Sequence, residues 1–95
     1  MVDVEEIQNL VYKINTRNFN SKKYEEMEIE ELGNEIREII KFQQESFQSI
    51  EEMEMKGVQQ DLIKYAKMIC KNITEREIIK IQEIYLKKIN DKYIK

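Results

Sequence analysis

Residues 25–40 read EEMEIEELGNEIREII, and seven of those sixteen positions are glutamate. Carboxylates in such density are the ligands that hard divalent cations take. The pairs Glu35-x-x-Glu38 and Glu51-x-x-Glu54 have the i,i+3 spacing that puts two carboxylates on one helical face. Helical phase tests that chemistry. With Ile36 at 0° and about 100° per residue, Ile29, Leu32, Ile39 and Ile40 fall within about 60° of it and form a core stripe. Glu30, Glu31 and Glu38 fall on the far side at about 120°, −140° and −160°, among Arg37 and Lys41. The pattern predicts a solvated face with i,i+3 and i,i+4 pairing.

Composition narrows the chemistry further. The chain has no histidine, so it lacks the usual general base near neutral pH and the commonest metal ligand. Ser–His and Cys–His nucleophile pairs are excluded within the chain, and the lone Cys70 cannot build a thiolate metal site. Cys70 reads as a small, half-buried apolar residue. The stretch EELGNE resembles a motif of the all-α NTP pyrophosphohydrolases of the MazG type. That resemblance implies magnesium held between a Glu-x-x-Glu helix and a facing Glu-x-x-Asp helix, with Glu35, Glu38, Glu51 and Glu54 as the acids. No Glu-x-x-Asp occurs here, and both pairs fall on one expected helix, about 20 Å or more apart, where they cannot share an ion. The expectation is a protein without catalytic residues, metal or cofactor.

The elements follow from periodicity. Ninety-five residues, 41% apolar and 37% charged, with no proline and two glycines, predict one all-α domain spanning 1–95. No apolar run approaches the roughly 20 residues of a membrane span. The acidic start MVDVEEIQNL is unlike a secretory leader, which, with the single cysteine, points to the cytoplasm. A first helix is expected over about Val4–Ile14, capped by Asp3, then a loop over 15–23 in which Ser21 could cap the second helix. That second helix is long, from about Lys22 to Lys56. It runs on through Gly33–Asn34 in preference to breaking there, has a second candidate break near Ser46–Ser49, and ends at Gly57. A third helix over 58–71 and a fourth over about 74–90 are separated by a capping box from Thr74 to Glu77. The product is an up-and-down bundle of four helices, five if the long one breaks.

Two features could carry binding. The last helix is apolar over about 220°, against about 100° for an ordinary core stripe. The excess forms a 3-4 spaced line, Ile79, Gln82, Leu86, Ile89 and Tyr93, which reads as the seam of a homodimer or of another partner. Gln43, inside the long helix's apolar stripe, either fixes register or marks where the stripe reaches solvent. The second feature is basic: Lys64, Lys67 and Lys71 on the third helix, and Arg76, Lys80 and Lys87 on the fourth. Lys13, Arg17, Lys22 and Lys23 lie in or beside the first loop. Helix, KNIT turn and helix give the outline of a helix-turn-helix. Against it stand a net charge of −3 and a pI near 5.1. Residues 1–57 carry −7 and residues 58–95 carry +4, a polarity suited to an oriented surface or to pairing between chains.

The sequence thus predicts a helical protein that works by binding another protein and self-associates. An inhibitor, adaptor or regulatory subunit would fit, with DNA binding by the C-terminal helix pair as the alternative. The outline is similar to that of bacteriocin immunity proteins, which are short antiparallel helical bundles. Sixteen Ile, thirteen Lys and seven Asn against four Leu and three Arg suggest AT-rich codons, hence a low-GC bacterium, phage or plasmid.

Overall fold

The structure, a computed structural model, describes residues 4–17, 19 and 21–93, with residues 21 and 22 given by their backbone. Three α-helices and one short 3-10 helix account for the described secondary structure: α1 (Val4–Asn15), the 3-10 turn (Ser21–Glu26), α2 (Ile29–Met55) and α3 (Gln60–Tyr93). The all-α class is as expected; the four-helix count is not. The third and fourth expected helices are one. No glycine or proline lies beyond Gly57, so nothing there breaks a helix. Thr74 does not cap a new helix. Its hydroxyl donates to the Cys70 carbonyl at 2.8 Å, inside α3. Such i−4 back-bonding takes up the hydroxyl without ending the helix.

The long second helix is shorter than expected. It begins at Ile29, and residues 22–26 belong instead to the separate 3-10 turn. Tyr24 in that turn is fully buried, an anchor that a solvated helix start would not supply. The Lys88 ammonium donates to the carbonyls of Glu25, at 2.7 Å, and Met27, satisfying groups left open where the turn ends. From Ile29 the helix is continuous through Gly33–Asn34 and through Ser46–Ser49. A Cβ on Gly33 would meet nothing within 4 Å, so no close approach demands glycine there. The Asp3 cap lies outside the described residues.

α2 and α3 form an antiparallel hairpin joined over residues 56–59. The C-terminus of α2 is a Schellman motif: Gly57 N–H donates to Glu54 O at 3.0 Å and Val58 N–H to Met53 O at 3.1 Å. Gly57 sits at φ 94°, the left-handed conformation that this motif needs and that side chains resist. α1 and the 3-10 turn lie along one side of the hairpin, giving a rod with principal extents of 61 × 18 × 17 Å.

The core has two apolar clusters. Near the hairpin turn, Ile7 of α1 packs with Ile50, Val58, Ile63 and Ala66. Toward the other end, Tyr24 packs with Leu32, Ile39 and Ile81. Between them lies a belt of polar side chains: Gln43 Nε2 donates to Thr74 Oγ1 at 2.8 Å, and the buried Ser46 and Cys70 face each other at the same level. Gln43 therefore ties α2 to α3 rather than marking exposed surface. Among the described residues no helix is long and apolar enough to cross a membrane.

Candidate functional site: an apolar face on the hairpin

Placing Ile81 at 0° on α3, the fully buried residues Ile63, Ala66, Cys70, Thr74, Glu77 and Ile81 occupy a narrow arc between about −60° and +20°. The outward direction is therefore near 160°. Ile79, Leu86 and Tyr93 fall at about 160°, 140° and 120°, and they are 54%, 60% and 69% exposed. Gln82 beside them is exposed and Ile89 half-buried. The five residues of the expected seam thus share one flank of α3. The 20° step per heptad is the drift of a straight helix against a seven-residue repeat. The same line continues toward the N-terminus of α3 through the exposed Met68 and Tyr65. Tyr65 also borders a shallow apolar groove formed with Ile7, Val11 and Leu62.

α2 contributes a share that the sequence pattern had assigned to the core. With Ile39 at 0°, the residues that meet the α1 side, Phe42, Ser49 and Met53, lie at negative angles between about −40° and −80°. Ile36, Phe47, Ile29 and Ile40 lie at positive angles between about 60° and 100°, on the opposite flank. The first three are half-buried and Ile40 is 39% exposed. No described element covers that flank. Together with Gln82, Leu86 and Ile89 of α3, these residues form an open, largely apolar face on the hairpin. Sequence reasoning missed the α2 half because it assumed a bundle closed on all sides.

The acidic and basic candidates resolve differently. Glu30, Glu31 and Glu38 are exposed on α2, as their phase predicts. The pairs Glu35/Glu38 and Glu51/Glu54 stand on the same helix, about 24 Å apart at 1.5 Å per residue. Among the described residues no group of three or more His, Cys, Asp and Glu could hold a metal ion. All six basic candidates lie on the single helix α3, so the helix-turn-helix outline is corrected: there is no turn between them. Lys64, Lys67 and Lys71 lie between about 40° and 100°, whereas Arg76, Lys80 and Lys87 lie between about −100° and −140°. They occupy opposite flanks and do not merge into one patch. Lys71 also pairs with Glu75 at 4.0 Å and Lys80 with Glu77 at 2.9 Å.

One buried ionisable pair was not foreseen. Glu77, expected as the closing residue of a capping box, is only 7% exposed. Its Oε1 accepts from the Tyr24 hydroxyl at 3.2 Å and its Oε2 from the Lys80 ammonium at 2.9 Å. Burial, with the Glu77 carboxylate next, pushes the Tyr24 phenol far above its usual 10.0. Burial likewise raises the Cys70 thiol. Oε1 ties the 3-10 turn to α3 while Oε2 is held by Lys80 on the same helix, so both oxygens are engaged, which is the work of a structural clamp. The sequence signal was faint: a glutamate at about −40° on α3, inside the buried arc.

A comparison of the chain with protein-family models, with curated proteins and with solved structures found no match.

Proposed function

We propose that this chain is a non-enzymatic helical protein that acts by binding another protein through the outward apolar face of α3, as an inhibitor, adaptor, immunity-type or regulatory subunit. The supporting observation is the exposure of Ile79, Leu86 and Tyr93 in one line at heptad spacing. Large apolar side chains scattered singly over a surface need no explanation, but a contiguous line along a helix is the form in which helical partners are recognised. The cytoplasm is the compartment that fits a chain with a single, buried, reduced cysteine. The nucleic-acid alternative loses its geometric support once α3 is continuous and its basic residues sit on opposite flanks. Electrophoretic shift at ~50 mM and ~200 mM salt tests it, and retardation at the lower salt would revive it.

The proposal is tested by affinity capture from a native-like lysate with wild type and with Ile79→Glu/Leu86→Glu as bait. Both positions are exposed, so folding stability should change by no more than about 0.5 kcal/mol each. Loss of a captured protein from a variant with an unchanged circular dichroism spectrum supports the reading. Identical capture by both baits sinks it.

A further inference from the structure

The open face of the hairpin has a shape, a size and a charge pattern that together select one occupant. It is two helices wide and as long as α2, so its footprint is roughly 40 by 18 Å. That is close to the ~800 Å² per partner that a stable interface buries. Its two helices carry opposite charge. On the open side α2 presents Glu51 and Glu54, at about 120° and 60°, and α3 presents Lys64, Lys67 and Lys71, at about 100°, 40° and 80°, the last paired with Glu75.

We propose that a second copy of this chain covers this face, related by a two-fold axis parallel to the helices, so that α2 of each copy lies along α3 of the other. The inference rests on the protein-binding reading of the α3 face and names its partner. Two hairpins stacked face to face can be related by either of two in-plane axes. An axis perpendicular to the helices would set α2 on α2 and α3 on α3 and reverse their levels, so that Glu51, Glu54, Lys64 and Lys67 would each lie against the apolar end of the other copy with no opposite charge beside them. Both axes leave every neighbouring helix antiparallel, so the helix dipoles do not choose between them; the parallel axis alone sets the Glu51/Glu54 end of α2 against the Lys64/Lys67 end of α3, twice.

The register follows from the chain itself. The Gln43–Thr74 bond places residues of α2 and α3 at one level when their numbers sum to about 117. The parallel axis preserves levels between copies. Ile29, Ile36 and Ile40 of one copy then stand level with Ile89, Gln82 and Ile78 of the other, forming the apolar end of the interface. At the hairpin-turn end, Glu51 and Glu54 of one copy meet Lys67 and Lys64 of the other. Within the chain none of those four makes an ion pair with another described residue. Their helical phases put all four on the open side, at about 40° to 120°.

Size exclusion with light scattering on the full chain, from ~5 to ~200 μM, gives the first readout: twice 11.6 kDa is expected. Charge reversal then tests the axis. Glu51→Lys/Glu54→Lys alone and Lys64→Glu/Lys67→Glu alone should each weaken self-association by about tenfold or more. Mixed one to one, they should pair with each other at near wild-type strength, because both contacts become opposite in charge again. Ile40→Glu, at an exposed position, should give a folded monomer. The inference is overturned if the wild type stays at 11.6 kDa throughout, if Ile40→Glu remains dimeric, or if the α2 reversal pairs with wild type rather than with the α3 reversal. A monomeric wild type that still captures another protein through Ile79 and Leu86 overturns the dimer and leaves the protein-binding reading standing. A dimer whose capture is indifferent to those positions does the reverse.

Discussion

Asn72 sits on the outward side of α3, twelve residues from its start, with its side chain in solvent. Replacing it by proline removes the hydrogen bond from residue 72 to the carbonyl of residue 68 and drives the ring against that carbonyl, at a cost of about 3 kcal/mol or more in a helix interior. No core contact is altered, so the backbone alone carries the effect. A domain of this length is stable by about 5–10 kcal/mol, and each kcal/mol shifts the melting midpoint by about 4–8 °C. Asn72→Pro should therefore melt at least about 12 °C below wild type. Asn72→Ala, which improves helix propensity at an exposed site, should melt at or slightly above it. Thermal and urea melts followed by circular dichroism at 222 nm measure both. If residues 71–74 formed a turn between two helices, proline would be tolerated there. A midpoint for Asn72→Pro within about 4 °C of wild type would refute the continuous α3 and bring back the four-helix count.

Other consequences are as direct. Tyr24→Phe removes the hydroxyl that donates to the Glu77 carboxylate and should destabilise by about 1.5–3 kcal/mol in a urea melt. It should also change the alkaline limb. The raised Tyr24 phenol keeps its contribution to stability below the unfolded value near 10.0 and loses it as the pH rises beyond that, so wild-type stability should fall more steeply above pH 10 than that of Tyr24→Phe. Gly57→Ala places a Cβ at φ 94° and should cost about 1–2 kcal/mol. Gln43→Leu leaves the Thr74 hydroxyl bonded to the Cys70 carbonyl, so its stability should lie within about 1 kcal/mol of wild type. Cys70, buried and with a raised thiol, should react with a thiol reagent at pH 8 only after denaturant is added.

What could be seen in the sequence was set by the range of the physics involved. The 3.6-residue periods of α1 and α2, the Gly57 stop and the solvated phase of Glu30, Glu31 and Glu38 are local, and the structure agrees with them. The excess apolar arc of the last helix was legible for the same reason, and Ile79, Leu86 and Tyr93 are indeed exposed in line. Thr74 misled because a threonine followed by Glu77 satisfies the local pattern of a cap, whereas its hydroxyl is used within the helix and Glu77 is held by Tyr24 from 53 residues away. The continuity of α3 was readable after all, in the absence of any glycine or proline beyond residue 57. The α2 share of the open face was not, because a side chain such as Ile40 has the same phase whether a further helix covers it or not. Tyr24 as a core anchor depends on Lys88 and Glu77, partners that no window of neighbouring residues contains.

The polar belt of Gln43, Ser46, Cys70 and Thr74 has a bearing on cooperativity. It divides a 61 Å rod into two apolar compartments that share α2 and α3 but few side chains. Opening of one compartment exposes only its own apolar surface, so it requires less free energy than unfolding the whole. The end sealed by α1 and the end sealed by the 3-10 turn can each breathe while the other stays closed. The two long helices are then a common spine for two coupled units that meet at the belt.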